Sequence, residues 1–345
     1  MRRGLALFLL VNVAIIFFLV GQVWTLLSLL VVDGSQDAIS RAELPAPNSS
    51  LIDGRRQLIP KIIHQTYKNE TIPEVWKEAQ RSCIELHPDY EYKLWTDDSA
   101  REFIVAEYPW FLDTWDGYPF NIQRADAIRY FILSHFGGIY IDLDDGCNRR
   151  LDPLLSYSAW LRRTLPTGIS NDAMGSVPQH PFFLRVIDSL SKYNRSWFLP
   201  YITVMASTGP LFLSVMWRHY NNDDPVGDDR IRILFPDEYK DHVWSFFVHN
   251  VGNSWHEKDV QFIMWLRSNW LLVTIFGFVI AGFAFSGSYW LYRRWCLGGY
   301  GSGPGSPRKR YHPNSRSFLR RLPILRYFSK GDRAGSYELL DRRDV

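Results

Sequence analysis

The chain has little net charge, +3 over 345 residues, and that charge is unevenly spread. Residues 33–292 hold −8, and an acidic middle excludes nucleic acid as a partner there. The +9 from Arg293 onward follows directly on an apolar run, so membrane topology accounts for it. Cysteine is scarce, three residues in all, too thin a signal for a disulfide framework. Cys83 and Cys147 could still pair, and Cys296 reads as an inert thiol. The acidic run at Asp142 lacks the glutamate of a calcium loop, since its twelfth position is Pro153; an EF-hand is excluded. The glycines of Gly298–Gly305 follow no strand and open no helix, which makes them a linker rather than a phosphate loop.

Two uncharged apolar runs are present, Leu5–Val32 and Trp270–Tyr292. The first has no small-residue cleavage site after it and exceeds a signal-peptide core, so it reads as a span. Aromatic residues flank the second in the manner of an interfacial belt. Arg2/Arg3 and Arg293/Arg294 lie outside the two runs, which puts both termini in the cytosol and residues 33–268 across the membrane. The three Asn-x-Ser/Thr sequons, at Asn48, Asn69 and Asn194, all fall in that middle part as glycosylation sites. The expected layout is a cytosolic start (1–4), a span (5–32), a stem rich in Ser, Asp, Pro and Asn (33–57) and a lumenal domain (58–268). A second span (269–292) and a basic tail that reads as disordered (293–345) complete it.

Within the domain, Ile59–Thr66 and Tyr90–Trp95 read as strands and Val75–His87 as a helix, with Asp97 and Asp98 capping the next. Arg124–Cys147 (RADAIRYFILSHFGGIYIDLDDGC) organises the rest. Ala125, Ile128, Ile132 and Phe136 recur at helical spacing, and Asp126 and Arg129 share one face. Gly137 and Gly138 end that helix. Beyond them the alternation predicts a strand with Tyr140, Asp142 and Asp144 on one side, the carboxylates about 7 Å apart. Such a pair holds a hard divalent cation, and the cation holds a diphosphate. Alternating strands and helices predict an α/β fold with its ligand at the carboxyl ends of the strands.

This segment, with its Arg-x-Asp-x-x-Arg-Tyr and Gly-Gly-x-Tyr-x-Asp-x-Asp pattern, resembles the glycosyltransferase family defined by a DXD sugar-nucleotide site. It is most similar to fungal inositol phosphoceramide mannosyltransferases. The resemblance covers about Ile59 to Trp255 and implies a GT-A type domain, its sheet mostly parallel, between two transmembrane helices. It implies a Golgi enzyme that transfers mannose from GDP-mannose to a membrane sphingolipid, inositol phosphoceramide, with retention of configuration. The implied cofactor is a divalent cation, Mn2+ before Mg2+ or Ca2+. Similar synthases work with a multi-spanning regulatory subunit, and the small-xxx-small pairs at Gly277 and Gly282 offer such a partner a close face.

The resemblance also implies residue roles. His64, Gln65 and Thr66 would line the donor pocket, with Asp126, Arg129 and Tyr140. Asp142 would orient ribose and sugar, and Asp144 would take the metal. Asn171 and Asp172, which read as a turn when seen bare, would face the sugar or acceptor. The returning metal ligand would be His249 or Ser254, with His256 a third choice. Two other readings stand beside this one: an α-1,6-mannosyltransferase acting on protein glycans, and a non-catalytic membrane subunit with the same fold. The complete Asp126/Arg129/Asp142/Asp144 set argues against the second.

Overall fold

A computed structural model describes residues 2–46, 55–164, 167–236, 242–249, 264–266 and 268–294. The chain divides into two units, Met1–Ala281 and Gly282–Val345, with the boundary inside the last helix. The described part of the second unit is the end of that helix. Asn48, Ser254, His256, Cys296 and the tail lie outside the described residues.

The first unit is built on a six-stranded sheet. Its strands are β1 (Ile62–Thr66), β2 (Glu91–Trp95), β3 (Gly138–Ile141), β5 (Ala159–Arg163), β6 (Ile169–Ser176) and β7 (Ile231–Leu234), in the order β2-β1-β3-β6-β5-β7. Three of its five pairings are parallel and the two involving β6 are antiparallel. β4 (Asp145–Cys147) and β8 (Phe247–His249) form a separate antiparallel pair. Helices α2 (Glu74–Leu86), α3 (Asp97–Glu107), α4 (Leu112–Asp116), α5 (Asn121–Phe136), α6 (Pro181–Tyr193), α7 (Pro200–Ser207) and α8 (Pro210–Asn221) surround the sheet. This is the mostly parallel α/β architecture the sequence predicts.

The period of two along the strands decides what each sheet face buries. Tyr140, Leu161 and Met174 face a core filled by α3, α5, α6 and α8. Ile139, Trp160 and Ala173 face a second core with Cys83, Phe246 and Phe247. The chain leaves α5 through Gly137 and Gly138, with φ of 67° and 93°. A Cβ on Gly138 would sit 2.7 Å from the Ile62 carbonyl, so only glycine allows β3 to enter beside β1.

Cys83 of α2 and Cys147 of β4 are joined in a disulfide, with Cα atoms 4.7 Å apart. It ties the short β4–β8 pair to the helix layer. Several local readings shift. Thr96, not Asp97, caps α3 by accepting from the Ser99 amide, and its two aspartates occupy the first turn. Asn171 and Asp172 lie within β6 rather than in a turn.

Two helices are long and apolar enough to cross a membrane, at Leu5–Leu29 and Trp270–Tyr292, and neither is buried. They are the core of α1 (Arg2–Leu29) and all of α9 (Trp270–Tyr292). The end of α1 and the first part of the stem expected at 33–57 pack against the domain. Leu29 is buried in the main core, and the Arg218 Nε donates to Ser28 Oγ at 3.1 Å. The Ile39 amide donates to the Ile233 carbonyl at 2.9 Å, so the chain runs alongside the exposed edge of β7. Arg230 reaches Asp37 at 2.5 Å and Arg232 reaches Glu43 at 2.9 Å. An open sheet edge is the physical reason: its unpaired groups recruit the first polar segment that reaches them.

Candidate active site

The acidic motif sits where β3 gives out. β3 ends at Ile141, and Asp142–Leu143–Asp144 form a turn closed by the Asp145 amide donating to the Asp142 carbonyl at 3.0 Å. The expected strand therefore stops one residue before the first aspartate. The chain leaves the large sheet here because residues 145–147 pair with β8 instead. On the other side, the Asp142 amide donates to the Asp172 carbonyl at 2.7 Å, which pins the turn to β6.

Asp142 is held on two sides. Tyr140 donates its hydroxyl to Oδ1 at 2.6 Å, and Arg129 Nη1 lies 3.2 Å from the same oxygen. Thr66 Oγ1 completes the chain by donating to the Tyr140 oxygen at 2.8 Å. Burial pushes the Asp142 carboxyl up to about 7 against the pull of Arg129, with Asp144 adding to the rise. Asp144 is also raised, first by burial and then by Asp145. Asp172 is raised by burial, with Arg162 opposing. Burial is the first cause of all three rises, and a cation bound beside these carboxylates would favour their charged forms.

Asp126 and Arg129 form the wall behind this turn. They pair at 3.1 Å, with side chains 6% and 4% exposed. Asp126 also accepts from Asn171 Nδ2 at 2.9 Å and from Thr208 Oγ1 at 3.2 Å. Arg129 donates to the Asn171 carbonyl at 2.7 Å and lies over the Tyr140 ring. A buried ion pair is tolerated only when its remaining groups are hydrogen-bonded, and here they are.

A cavity of about 760 Å³ opens at the carboxyl ends of β1 and β2 and reaches this turn. Thr66, Arg129, Asp142 and Asp144 line it, together with Tyr67, Lys68, Trp76 and the first turn of α3. His64 and Gln65, expected in the donor pocket, are fully buried behind it. His64 accepts from Trp95 Nε1 at 3.1 Å and donates to the Gly137 carbonyl at 2.9 Å. Burial depresses its pKa to about 4, so it is a neutral brace between β1, β2 and the α5 exit. Gln65 accepts from the Tyr92 hydroxyl at 2.9 Å. The two point to opposite faces of β1 and both faces are covered, His64 by Trp95 and Phe136 and Gln65 by Tyr92. Tyr140, Asp126 and Asn171 also stand behind the wall and act on the cavity through Asp142 and Arg129.

His249 is half exposed and donates its Nδ1–H to Asp145 Oδ1 at 2.7 Å. That bond raises its pKa, and His249 in turn opposes the rise that burial imposes on Asp144. Among the described residues no three His, Cys, Asp or Glu side chains converge into a metal cluster. Sequence reasoning missed Asp145 and Arg162, a fully buried pair at 2.6 Å, although the third aspartate of Asp142-Leu143-Asp144-Asp145 was a visible signal. Of the sequons, Asn69 is exposed and Asn194 ends α6, half buried.

Comparison with known proteins follows the same lines. A family described as the glycosyltransferase sugar-binding region containing a DXD motif matches residues 73–161. Mannosyl phosphorylinositol ceramide synthase CSH1 of Saccharomyces cerevisiae is 48% identical over 316 residues, covering 90% of this chain and 82% of its own. Inositol phosphoceramide mannosyltransferase 2 of Schizosaccharomyces pombe is 51% identical over 252 residues, covering 71% and 73%. Among solved structures, the PaToxG glycosyltransferase covers 47% of this chain and 69% of its own, at 18% identity and a TM-score of 0.36.

Proposed function

Because the chain belongs to the family of the inositol phosphoceramide mannosyltransferases, we propose that it transfers mannose from GDP-mannose to inositol phosphoceramide. The observation that carries this reading is the identity of about half the residues across most of both chains. The acidic turn at the mouth of a nucleotide-sized cavity supports it.

In this reading Asp144 holds the divalent cation, Mn2+ foremost, with His249 the nearest additional ligand. Bound there with the donor diphosphate, the cation supplies neutralisation of the charge on the departing GDP. Asp142, fixed by Tyr140 and Arg129, offers its free lone pairs to ribose and sugar hydroxyls. Arg129, on the cavity wall, adds positive charge beside the sugar phosphate. Asp126, Asn171 and Thr208 hold Arg129 in place rather than touch the donor. Transfer retains the α-configuration, and the leaving phosphate serves as base for the acceptor hydroxyl. A protein whose site is a relic would not keep this set intact, which disfavours a non-catalytic subunit.

The chain sits in the Golgi membrane with the domain lumenal and both ends cytosolic. The arginines that flank the apolar stretches Leu5–Leu29 and Trp270–Tyr292 support that orientation, and a disulfide belongs in an oxidising lumen. Gly277 and Gly282 leave room for the close approach of a helix from a multi-spanning regulatory subunit.

The test is purified full-length protein offered GDP-mannose or UDP-sugars, with inositol phosphoceramide or a protein glycan as acceptor. Mannosylated inositol phosphoceramide formed from GDP-mannose alone is the expected result. Transfer only to the glycan, or from UDP-sugars, overturns the reading.

A further inference from the structure

One buried cation beneath the acidic turn has no part in the mechanism above. Arg162 lies in β5, 1% exposed, between the large sheet and the β4–β8 pair. Its Nη1 donates to Asp145 Oδ2 at 2.6 Å, and its Nη2 lies 3.4 Å from Asp172 Oδ2. The strand pairing breaks at this residue. Leu161 pairs with Met174, but the next residue, Arg162, pairs with Ser170. Asn171, Asp172 and Ala173 are thus extra residues in β6 opposite a single step of β5. Bulges of this kind re-aim side chains next to active sites. Here the bulge turns Asp172 onto Arg162 and Asn171 onto Asp126.

The two carboxylates that Arg162 grips lead to the two ends of the acidic turn. Asp172 receives the Asp142 amide on its carbonyl. Asp145 follows Asp144 directly and accepts the His249 Nδ1–H. A guanidinium is planar and forked, so it can hold two carboxylates at fixed angles where an ammonium cannot. Packing alone does not require an ion pair here, since apolar residues of similar volume would fill the space without desolvating charges.

We propose that Arg162 is a positioning residue for the transfer site: through Asp172 and Asp145 it sets the Asp142–Asp144 turn and aims His249 beside the cation. The inference rests on the metal-assisted reading of this site.

The test is Mn2+ binding to the full-length protein, followed by electron paramagnetic resonance without donor or acceptor, together with thermal unfolding. Arg162→Lys keeps the charge and loses the fork; Asp145→Asn keeps the shape and loses the charge. Each should weaken Mn2+ binding by about tenfold or more in protein that is folded at the assay temperature. The double variant should be no weaker than the worse single, because the residues act as one unit. Mn2+ affinity within about twofold of wild type in folded single variants, or effects that multiply in the double, overturns the proposal. Loss of the fold in both single variants also overturns it, since that is the result for a purely structural pair. Mn2+ binding involves no sugar, so a chain that uses another donor or acceptor gives the same outcome here while failing the transfer assay.

Discussion

Cys83 and Cys147, 64 residues apart in sequence, are bonded to each other across α2 and β4. The bond anchors the strand that begins directly after Asp144, so the acidic turn has a covalent support on its far side. Replacing both cysteines by serine should lower stability by about 4 kcal/mol, the scale of a closed loop of this length. Thermal unfolding of detergent-purified protein, and peptide mapping without reduction, check it. Alkylation of both thiols in unreduced protein would contradict the pairing.

His64 makes a pH-dependent contribution whose sign follows from burial. Its pKa falls from 6.5 to about 4 on folding, so the unfolded chain takes up the proton first. Stability from this residue is complete above pH 6.5 and is lost as pH falls toward 4, by about 3 kcal/mol in all. His87 and His180 act with the same sign. Asp126, Asp142, Asp144 and Asp172 are raised and act with the opposite one, so the useful quantity is a difference. His64→Gln, which can keep both hydrogen bonds, should gain on wild type as pH drops through this window. A difference that stays constant with pH would show that His64 is not a buried neutral group.

Thr208 supports the site from outside the motif by donating to Asp126 at 3.2 Å. Thr208→Val keeps the shape and removes the donor, which should cost about 1–3 kcal/mol of stability. It should also raise the KM for the donor, because Asp126 holds Arg129. Thr208→Ser should restore both. Equal donor KM values in Thr208→Val and wild type would confine the residue to the core.

The topology is open to a biochemical check. Endoglycosidase should shift the apparent mass, and joint replacement of Asn48, Asn69 and Asn194 should abolish the shift. Protease outside intact microsomes should remove a tag placed after Val345. A protected tag would overturn the two-span orientation.

Local signals in the sequence pointed to α5, its glycine exit and β3, because spacing at three to four residues and then at two is set by neighbouring residues. Non-local pairing was invisible. His64 and Gln65 are polar residues at a strand end, and only the tertiary structure shows that both faces of β1 are covered there and bury them. The segment after α1 has the composition of a linker, yet the open edge of β7 captures it. Asn171–Asp172 looks like a turn and is a bulge, because its partner Arg162 lies on another strand. Arg162 and Asp145 form a buried pair only once β4 has left the large sheet for β8.

Mannosyl transfer by Asp144→Ala, measured with and without added Mn2+, bears most directly on a cation held at the Asp142–Asp144 turn. The variant should fold, melt and be glycosylated as wild type does, because Asp144 lies in a turn lining the cavity. Its transfer from GDP-mannose to inositol phosphoceramide should fall by about a hundredfold or more, as for other lost electrostatic groups at a reacting centre. Substantial transfer by folded Asp144→Ala, with the metal dependence of wild type, would contradict the assignment of the cation to this turn.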